Sequence, residues 1–265
     1  MFTRKSPFEN ELQKLQKQET AFLNKHSEES DSRINQLIKE KIPEKLQNTL
    51  DNAFAKSFST VFQKGTGIIE KTYKKDEMEK NFDVNMYAAK RKNTKKEWKT
   101  FSRQSVGTGN KNLVISGAAG IGLGILGIGI PDIVFFVGLQ LRSIYEMALQ
   151  YGYTYEEEQE RRFILLLFQG ALSHGKEQRE IDDQINRFID YGTFPDSKEL
   201  EQCIAEASAC LSKELLYMKF LQGIPLVGAV GGAFDAIYMR RINQYAELKY
   251  RRRFLYKSKS ENISL

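Results

Sequence analysis

Hydrophobic residues recur at three- and four-residue intervals along most of the chain, which is the spacing of an amphipathic helix. The clearest stripe lies in a segment from Pro43 to about Gln63 and consists of Leu46, Leu50, Phe54, Phe58, Val61 and Phe62. Similar spacing predicts further helices over about 131–151, 154–171, 176–191, 196–222 and 225–256. No segment alternates between polar and apolar residues for long. The sequence therefore predicts an all-α, multi-helix bundle with no sheet.

Helix ends and composition suggest boundaries along the chain. Thr154 with Glu157 three residues later has the spacing of a capping box, and Gly152 is suited to end the preceding helix. Residues 1–42 are polar with a thin apolar pattern, so we expect amphipathic helices that are mobile or dock late. Residues 43–104 are predicted to form a helical extension with a basic segment, 105–257 a glycine-rich helical domain, and 258–265 a disordered tail.

The segment LVISGAAGIGLGILGIGIPD, residues 113–132, has six glycines in an apolar run, and three explanations compete for it. Residues 122–127 satisfy G-x-G-x-x-G, but helices rather than alternating strands are predicted to follow, which disfavours dinucleotide binding.

A membrane segment is the second explanation. Residues 113–130 are uncharged and would span about 27 Å as a helix. Glycine weakens such a helix by about 1 kcal/mol per residue. A transmembrane helix is therefore disfavoured, while an interfacial hairpin stays open.

Close helix packing is the explanation that accounts for the spacing of small residues. Gly120 and Gly124, and Gly228 and Gly232 in a second apolar segment, give each predicted helix a ridge where another backbone approaches closely. We therefore predict two closely packed glycine-rich helices, in contact with each other or with the helix that starts at Pro131. The similar sequences GIPDIVFFVG and GIPLVGAVGG also suggest a pair of equivalent helices.

Two basic segments indicate a polyanionic partner for a chain of net charge +6. Residues 90–103 hold seven Lys or Arg and the only tryptophan, Trp98. A C-terminal run interleaves aromatic residues with cations that include Lys249, Arg251, Arg252 and Arg253. Clustered cations beside an apolar helix attract anionic lipid, so we predict that these four cations and Trp98 contact an anionic membrane surface. RNA fits the same composition, but the adjacent glycine-rich segments favour lipid over nucleic acid.

Residue types suited to catalysis or metal binding are few. The chain has two histidines and two cysteines, and the spacing of Cys203 and Cys210 fits neither a zinc site nor a disulfide within one helix. We expect buried, reduced thiols, and we predict no metal, cofactor or catalytic residue. The N-terminus, MFTRKSPFENELQ, lacks the apolar core of a secretory signal, so a cytoplasmic protein is expected.

Two signatures in the second half of the chain resemble the EcsC family of bacterial proteins, which are often encoded beside ABC-transporter genes. They are GAAGIGLGILGIGIPDIVFFVGLQLRSIYEMALQYGY and GIPLVGAVGGAFDAIYMRRINQYAELKYRRRFL, and the likeness spans roughly Ser105 to Tyr256. The resemblance implies an all-α intracellular domain linked to membranes and transport, without a catalytic motif. The first hundred residues look less typical, and Asp235 stands where the family usually has Asn.

Two aspartates near the glycine-rich segments are candidates for buried ion pairs. Asp132 lies in the predicted first turn of its helix, where the helix dipole stabilises a carboxylate. Asp235 lies among apolar residues in mid-helix, where an unpaired charge would be costly. We hypothesise that both aspartates pair across two helices with arginines, the candidates being Arg142, Arg240 and Arg241.

Together these features predict a non-enzymatic accessory protein attached peripherally to the inner face of the membrane. A membrane transporter complex is a further candidate partner. One alternative is a hydrolase that uses Asp132 or Asp235 as acid or base, although no nucleophile stands at a recognisable spacing. The other is nucleic-acid binding through the basic segments.

Overall fold

The computed structural model describes residues 6–25, 42–92, 96, 130–194, 196–221 and 233–260. Its helices are α1 (Pro7–Lys25), α2 (Glu44–Thr60), α3 (Thr66–Glu70), α4 (Lys75–Lys92), α5 (Ile130–Gln150), α6 (Glu158–Leu172), α7 (Gly175–Tyr191), α8 (Leu200–Leu221) and α9 (Ala233–Ser260), with a π-helical turn at Val61–Gly65. No strand occurs in these residues, so the all-α prediction is confirmed. The predicted packing residues Gly120, Gly124, Gly228 and Gly232 lie outside the described ranges.

Helix α6 is the centre of the bundle. Every residue from Arg162 to Leu172 is buried, so this part of the helix has no solvent-facing side. Helices α7, α8 and α9 pack around it. Helix α2 contacts it through Phe58, whose ring meets the ring of Phe168 edge-on at 5.1 Å. A helix that is buried on all sides depends on its neighbours for stability, so α6 organises the elements around it.

A glycine in α6 permits close approach of α9. A Cβ placed on Gly170 would lie 2.7 Å from Cε1 of Tyr245, well inside van der Waals contact. Tyr245 is itself fully buried and its ring stacks on that of Phe22 at 5.0 Å, so it has little room to move aside. Close packing at a glycine therefore does occur in the bundle, at a position that the sequence pattern did not single out.

Contacts with α9 fix the direction of α6. Glu160, near the start of α6, accepts a hydrogen bond from Tyr250 at 2.8 Å. The carbonyl of Ser173, just beyond the end of α6, accepts one from Arg241 at 3.1 Å. Since Arg241 precedes Tyr250 in the chain, α6 and α9 are antiparallel.

Helix α5 runs parallel to α9. Its C-terminal end lies beside the second half of α9, where the Tyr151 hydroxyl donates to Glu247 at 3.2 Å. Its N-terminal part lies beside α2, where the ring of Phe136 is 6.4 Å from that of Phe54. Phe54 is one turn before Phe58, on the side toward the end of α6. Helices α5 and α9 therefore begin at the same end of the bundle.

The two ends of the bundle are named here for later use. The glycine end is formed by Phe135, Ser173, Glu214 and Ile237, and both glycine-rich sequences join the described helices there through the first residues of α5 and α9. The far end is formed by Tyr151, Tyr155, Tyr191 and Arg253. Each long helix of the core contributes one terminus to each end.

Of two predicted helix boundaries, one is confirmed and the other is wrong. Gly152 ends α5 with a φ of 76°, as expected for a left-handed residue at a helix terminus. The predicted capping box is wrong, because α6 begins only at Glu158 and no side chain caps it. The preceding residues are held by tertiary contacts instead: the Tyr155 ring stacks on Tyr145 at 4.0 Å and its hydroxyl donates to Glu70 at 2.7 Å. These contacts keep this segment out of the helix.

The N-terminal helix belongs to the same core as the rest. Leu15 is fully buried and Phe22 is 3% exposed, and α1 packs against α9. Buried hydrophobic residues of α1, α2 and α5 to α9 form one continuous cluster. Residues 7–25, expected from their thin apolar pattern to be mobile or to dock late, are packed into the core in this structure. At the other terminus, α9 continues through the start of the predicted disordered tail, where Ser258 is 2% exposed.

Candidate functional sites: an ionic network and a polar cleft

The basic run of α9 faces the protein interior. The Lys249 side chain is 1% exposed, and its ammonium lies 3.0 Å from Oε1 of Glu19 in α1 and 2.7 Å from Oδ1 of Asp182 in α7. It also donates to Asn186 Oδ1 at 3.0 Å. An ammonium group has three N–H donors, so Lys249 is fully satisfied by three protein acceptors. This buried lysine ties α1, α7 and α9 together.

Two neighbours of Lys249 on α9 share its carboxylate partners. Arg252 lies 3.2 Å from Oε2 of Glu19, so one carboxylate bridges two cations. The Tyr245 hydroxyl donates to Asp182 at 2.7 Å. Burial and the charge of Asp182 raise the pKa of Tyr245 well above its usual value, which keeps the phenol protonated as a donor.

The remaining two cations of the run are also paired. Arg251 pairs with Glu11 of α1 and donates to Gln18 at 3.1 Å. Arg253 lies 2.5 Å from Oε2 of Glu160 in α6, and its guanidinium stacks over the ring of Tyr153 at 4.0 Å. We call the set of Glu11, Glu19, Glu160, Asp182, Lys249, Arg251, Arg252 and Arg253 the ionic network. Its charges are paired and mostly removed from solvent, as a buried charge requires.

A polar cleft opens between α7 and α8, above the C-terminal end of α6. Its volume is about 430 Å³, within the range of small-molecule sites. Each surrounding helix contributes one face: α7 gives Glu177, Glu180, Ile181 and Gln184, α8 gives Glu206, Ala209, Cys210, Lys213 and Glu214, and Gln47, Gln169, Leu172, Ser173 and His174 complete the lining. The cleft lies toward the glycine end, because it includes Ser173 and Glu214.

Glu214 is held rigidly at the inner edge of the cleft. Its Oε1 lies 3.0 Å from Nε2 of His174, and its Oε2 accepts a hydrogen bond from Tyr238 at 3.1 Å. Arg241 of α9 is 3.9 Å from the same carboxylate and also donates to the Ser173 carbonyl. Burial and the charge of Glu214 raise the pKa of Tyr238, so this hydroxyl remains a donor. The carboxylate is thus positioned by two elements besides its own helix.

Cys210 in this cleft is a thiol rather than a thiolate. Burial raises its pKa to about 12, and the negative charge of Glu214 adds to the effect. Its sulfur lies 3.7 Å from the Ser173 hydroxyl. Cys203 and Cys210 form no disulfide, and Cys203 is buried whereas Cys210 is partly exposed, so the expected burial holds for Cys203 alone. A thiol with this pKa is protonated at neutral pH and is therefore a poor nucleophile.

Comparison with protein families assigns the chain. The sequence pattern described as the EcsC protein family matches residues 9–255. The chain belongs to the EcsC protein family. Neither a curated protein nor a solved structure matches this EcsC-family protein. The match reaches from α1 to α9, beyond the resemblance seen in the sequence from Ser105 onward, and agrees with the packing of α1 on α9.

The predicted lipid contacts of this EcsC-family protein need correction. Side chains of Lys249 and Arg251 are 1% and 6% exposed, so neither is available to lipid in this arrangement of the helices. Arg252 and Arg253 are 15% and 19% exposed and both carry an ion pair. Trp98 lies outside the described residues. The missed signal is in α1, where Glu11 and Glu19 share the helical stripe of the apolar residues Leu15 and Phe22.

Two candidate arginines of the predicted aspartate–arginine pairs have partners among the described residues. Arg142 pairs with Glu146 one turn along α5, at 3.0 Å. Arg241 pairs with Glu214, and Arg240 is exposed. The side chains of Asp132 and Asp235 lie outside the described part of the structure. Arg142 and Arg241 each have a described carboxylate partner that the sequence pattern did not connect to them, and the proposed pairs with Asp132 and Asp235 stay a prediction.

Proposed function

We propose that this EcsC-family protein is a non-enzymatic accessory protein that attaches peripherally to a membrane through its glycine end. One observation carries the proposal: α5 and α9, which follow the two uncharged glycine-rich sequences, begin at the same end of the bundle. Two large apolar side chains are exposed within their first two turns, Phe135 at 42% and Ile237 at 54%. Exposed apolar groups clustered beside uncharged sequence suit an interface with lipid better than contact with water.

The two sequences that join this end are uncharged, as are the exposed apolar side chains there. Residues 113–130 and 220–234 contain no charged residue. Among the residues that the structure describes, no helix is both long and apolar enough to cross a membrane. Shallow interfacial attachment at the glycine end is the mode that we propose.

Electrostatic attraction to anionic lipid is assigned to the basic segment 90–103 instead of α9. Helix α4 leads into this segment and carries an exposed stripe of Val84 at 67%, Tyr87 at 64%, and Arg91, which donates to the Tyr87 hydroxyl at 3.1 Å. Apolar and aromatic side chains next to several cations are typical of interfacial anchors. The membrane that fits the expected cytoplasmic location is the inner face, and a transporter complex there is the partner that the family resemblance suggests.

Vesicle flotation tests the proposal directly. Purified protein would be floated with zwitterionic and with anionic vesicles at low and high salt, beside the double variant Phe135→Ser/Ile237→Ser. We expect at least tenfold weaker partitioning of the double variant, since full burial of a large apolar side chain contributes about 1.5–3 kcal/mol and about half of each of these two side chains is exposed.

The matched control is Tyr191→Ser, which removes an exposed aromatic residue, 78% exposed, at the far end of the bundle. Its flotation should equal that of the unmodified protein. Equal flotation of the double variant and the control would reject the glycine end as the attachment site. Failure of the unmodified protein to float, together with salt-sensitive binding to RNA, would favour the nucleic-acid alternative.

A further inference from the structure

Two buried side-chain amides have no partners, one on α5 and one on α9. Gln140 is fully buried and Asn243 is 6% exposed. Neither the oxygen nor the nitrogen of either amide has a hydrogen-bond partner in the described part of the chain. The hydroxyl of Ser143, buried three residues after Gln140, is unpaired as well. Such groups are rare in a folded protein, because each gives up its hydrogen bonds to water without gaining others.

The two other buried amides among the described residues are better satisfied. Gln178 of α7 donates to the Gly170 carbonyl at 2.9 Å. In Gln169 of α6 only the nitrogen lacks a partner. Within the described ranges, both atoms of a buried amide are therefore unpaired only in Gln140 and Asn243, which lie on the two helices that begin at the glycine end.

Helical spacing places these two amides on the faces through which α5 and α9 contact each other. Tyr151 of α5 donates to Glu247 of α9 at 3.2 Å. Gln140 lies eleven residues before Tyr151, which is about three turns, and Asn243 lies four residues before Glu247, which is about one turn. Because the two helices run parallel, both amides lie on the glycine-end side of that hydrogen bond.

The two halves of α5 are held by different kinds of contact. In the second half, the hydrogen bond to α9 is accompanied by the Tyr145 ring, which stacks on Tyr155 at 4.0 Å. In the first half, the contact with α2 is apolar, with the ring of Phe136 6.4 Å from that of Phe54. A Cβ placed on Gly138 would meet no neighbouring atom within 4 Å, so one side of this half is open. Lipid tails are as apolar as a protein core, so lipid can replace apolar contacts but not hydrogen bonds.

We infer that the α5–α9 pair is a conformational switch, in which the first half of α5 leaves α9 and α2 when the glycine end meets lipid, while the second half stays bound. Opening lets Gln140, Ser143 and Asn243 bond to water or lipid headgroups, so their unpaired state in the closed bundle lowers the cost of opening. Lipid favours the open state, because that state offers it the apolar face of α5. The inference rests on the proposed membrane attachment and adds a step to it.

Replacement of each unpaired amide by an apolar side chain of similar size tests the inference on the full-length protein. Gln140→Met and Asn243→Leu remove the unpaired groups from the closed state, so we expect each to raise the melting temperature by about 2–4 °C. Each should also weaken flotation with anionic vesicles by about fivefold, because the open state becomes less populated.

The matched control is Gln178→Met, which removes a buried amide that does have a partner. This variant should have a lower melting temperature, because it loses a hydrogen bond, and its folded fraction should float like the unmodified protein. The two kinds of variant therefore differ in the sign of the stability change and in whether lipid binding responds.

Three outcomes would overturn the inference. A lower melting temperature in Gln140→Met and Asn243→Leu, as in the control, would mean that both amides are satisfied in the folded protein. A higher melting temperature with unchanged flotation would mean that α5 stays in place on lipid, and the proposed attachment would stand without the switch. Failure of the unmodified protein to float would reject the attachment and the switch together.

Discussion

The second half of α9 and the glycine end differ in a way that their compositions do not suggest, since charged side chains are buried in the first and apolar side chains are exposed at the second. The run around Lys249 is basic, as surface sequence often is, yet its charges are folded inward against carboxylates from α1, α6 and α7. The starts of α5 and α9 are apolar, yet Phe135 and Ile237 are exposed. Composition alone therefore predicts which side chains need partners, and the fold decides whether those partners are protein, water or lipid.

The difference has an energetic basis. A buried cation is tolerated only when carboxylates and hydrogen bonds replace its water shell, and the loss of one partner leaves a costly charge behind. An exposed apolar side chain carries a small penalty in a monomer and becomes useful when a second surface covers it. Substitutions in the ionic network should therefore reduce stability, whereas substitutions at the glycine end should alter association.

The largest effect is expected at Lys249. Lys249→Met would leave Glu19 and Asp182 facing each other without their shared ammonium, and we expect a loss of about 3–5 kcal/mol in the free energy of unfolding. Urea unfolding followed by circular dichroism measures it. Arg240→Met, at an exposed position of the same helix, is the control. A loss below about 1 kcal/mol for Lys249→Met would mean that the network contributes little more than a surface pair.

Gly170→Ala should give the next largest effect. The added methyl group would meet the ring of Tyr245, which is fixed between Phe22 and the hydrogen bond to Asp182. Overpacking of this kind costs about 1–3 kcal/mol, against a gain of about 1 kcal/mol in helix propensity. We expect a net loss of up to about 2 kcal/mol in the free energy of unfolding, measured by thermal or urea unfolding. A stabilised variant would show that the α6–α9 contact is looser than the structure indicates.

Features that depend on neighbouring residues in the sequence were predicted correctly, whereas contacts between residues far apart in the sequence were not. Helical periodicity, and the end of α5 at Gly152, follow from local spacing and were predicted correctly. The pair of Lys249 with Glu19 joins residues 230 positions apart, and no local pattern relates them. The start of α6 was misplaced for the same reason, because contacts of Tyr155 with Tyr145 and Glu70 override a local capping signal.

The cleft was missed because its parts are separated in the sequence. Gln169, Glu177 and Glu214 lie on three different helices, and each alone is an ordinary polar residue of an amphipathic helix. The absence of a disulfide between Cys203 and Cys210 was predictable because it depends on the spacing of two residues within one helix. Only the three-dimensional arrangement shows that the charges of Glu177 and Glu214 both act on the Cys210 thiol.

A smaller, pH-dependent effect is expected at Glu247, whose burial opposes ionisation. Burial raises the pKa of its carboxyl above the usual 4.5, while attraction to Arg251 and the Tyr151 hydrogen bond lower it by less. A carboxyl with a raised folded-state pKa favours the fold below its unfolded pKa, and this contribution is lost as pH rises through the folded value. Glu247→Gln keeps an acceptor for Tyr151 and removes that loss. The variant should therefore gain stability relative to the unmodified protein between pH 4 and pH 7, measured by urea unfolding at both values. An advantage that shrinks with rising pH would contradict the direction of the pKa change.

The smallest change in stability is expected where the proposed function is most sensitive. Ile237 is 54% exposed, so Ile237→Ser removes little buried surface and should shift the free energy of unfolding by no more than about 0.5 kcal/mol. The same substitution should measurably reduce vesicle flotation, because the lost side chain would have entered the lipid interface.

Lys249→Met offers the reverse test, since flotation of its folded fraction should be unchanged if α9 cations do not touch lipid. Parallel measurement of unfolding and flotation on these two variants separates the regions. If Lys249→Met lost anionic-lipid binding while remaining folded, the basic run would have to leave its carboxylate partners at the membrane, and the network would be a state of the unbound protein alone.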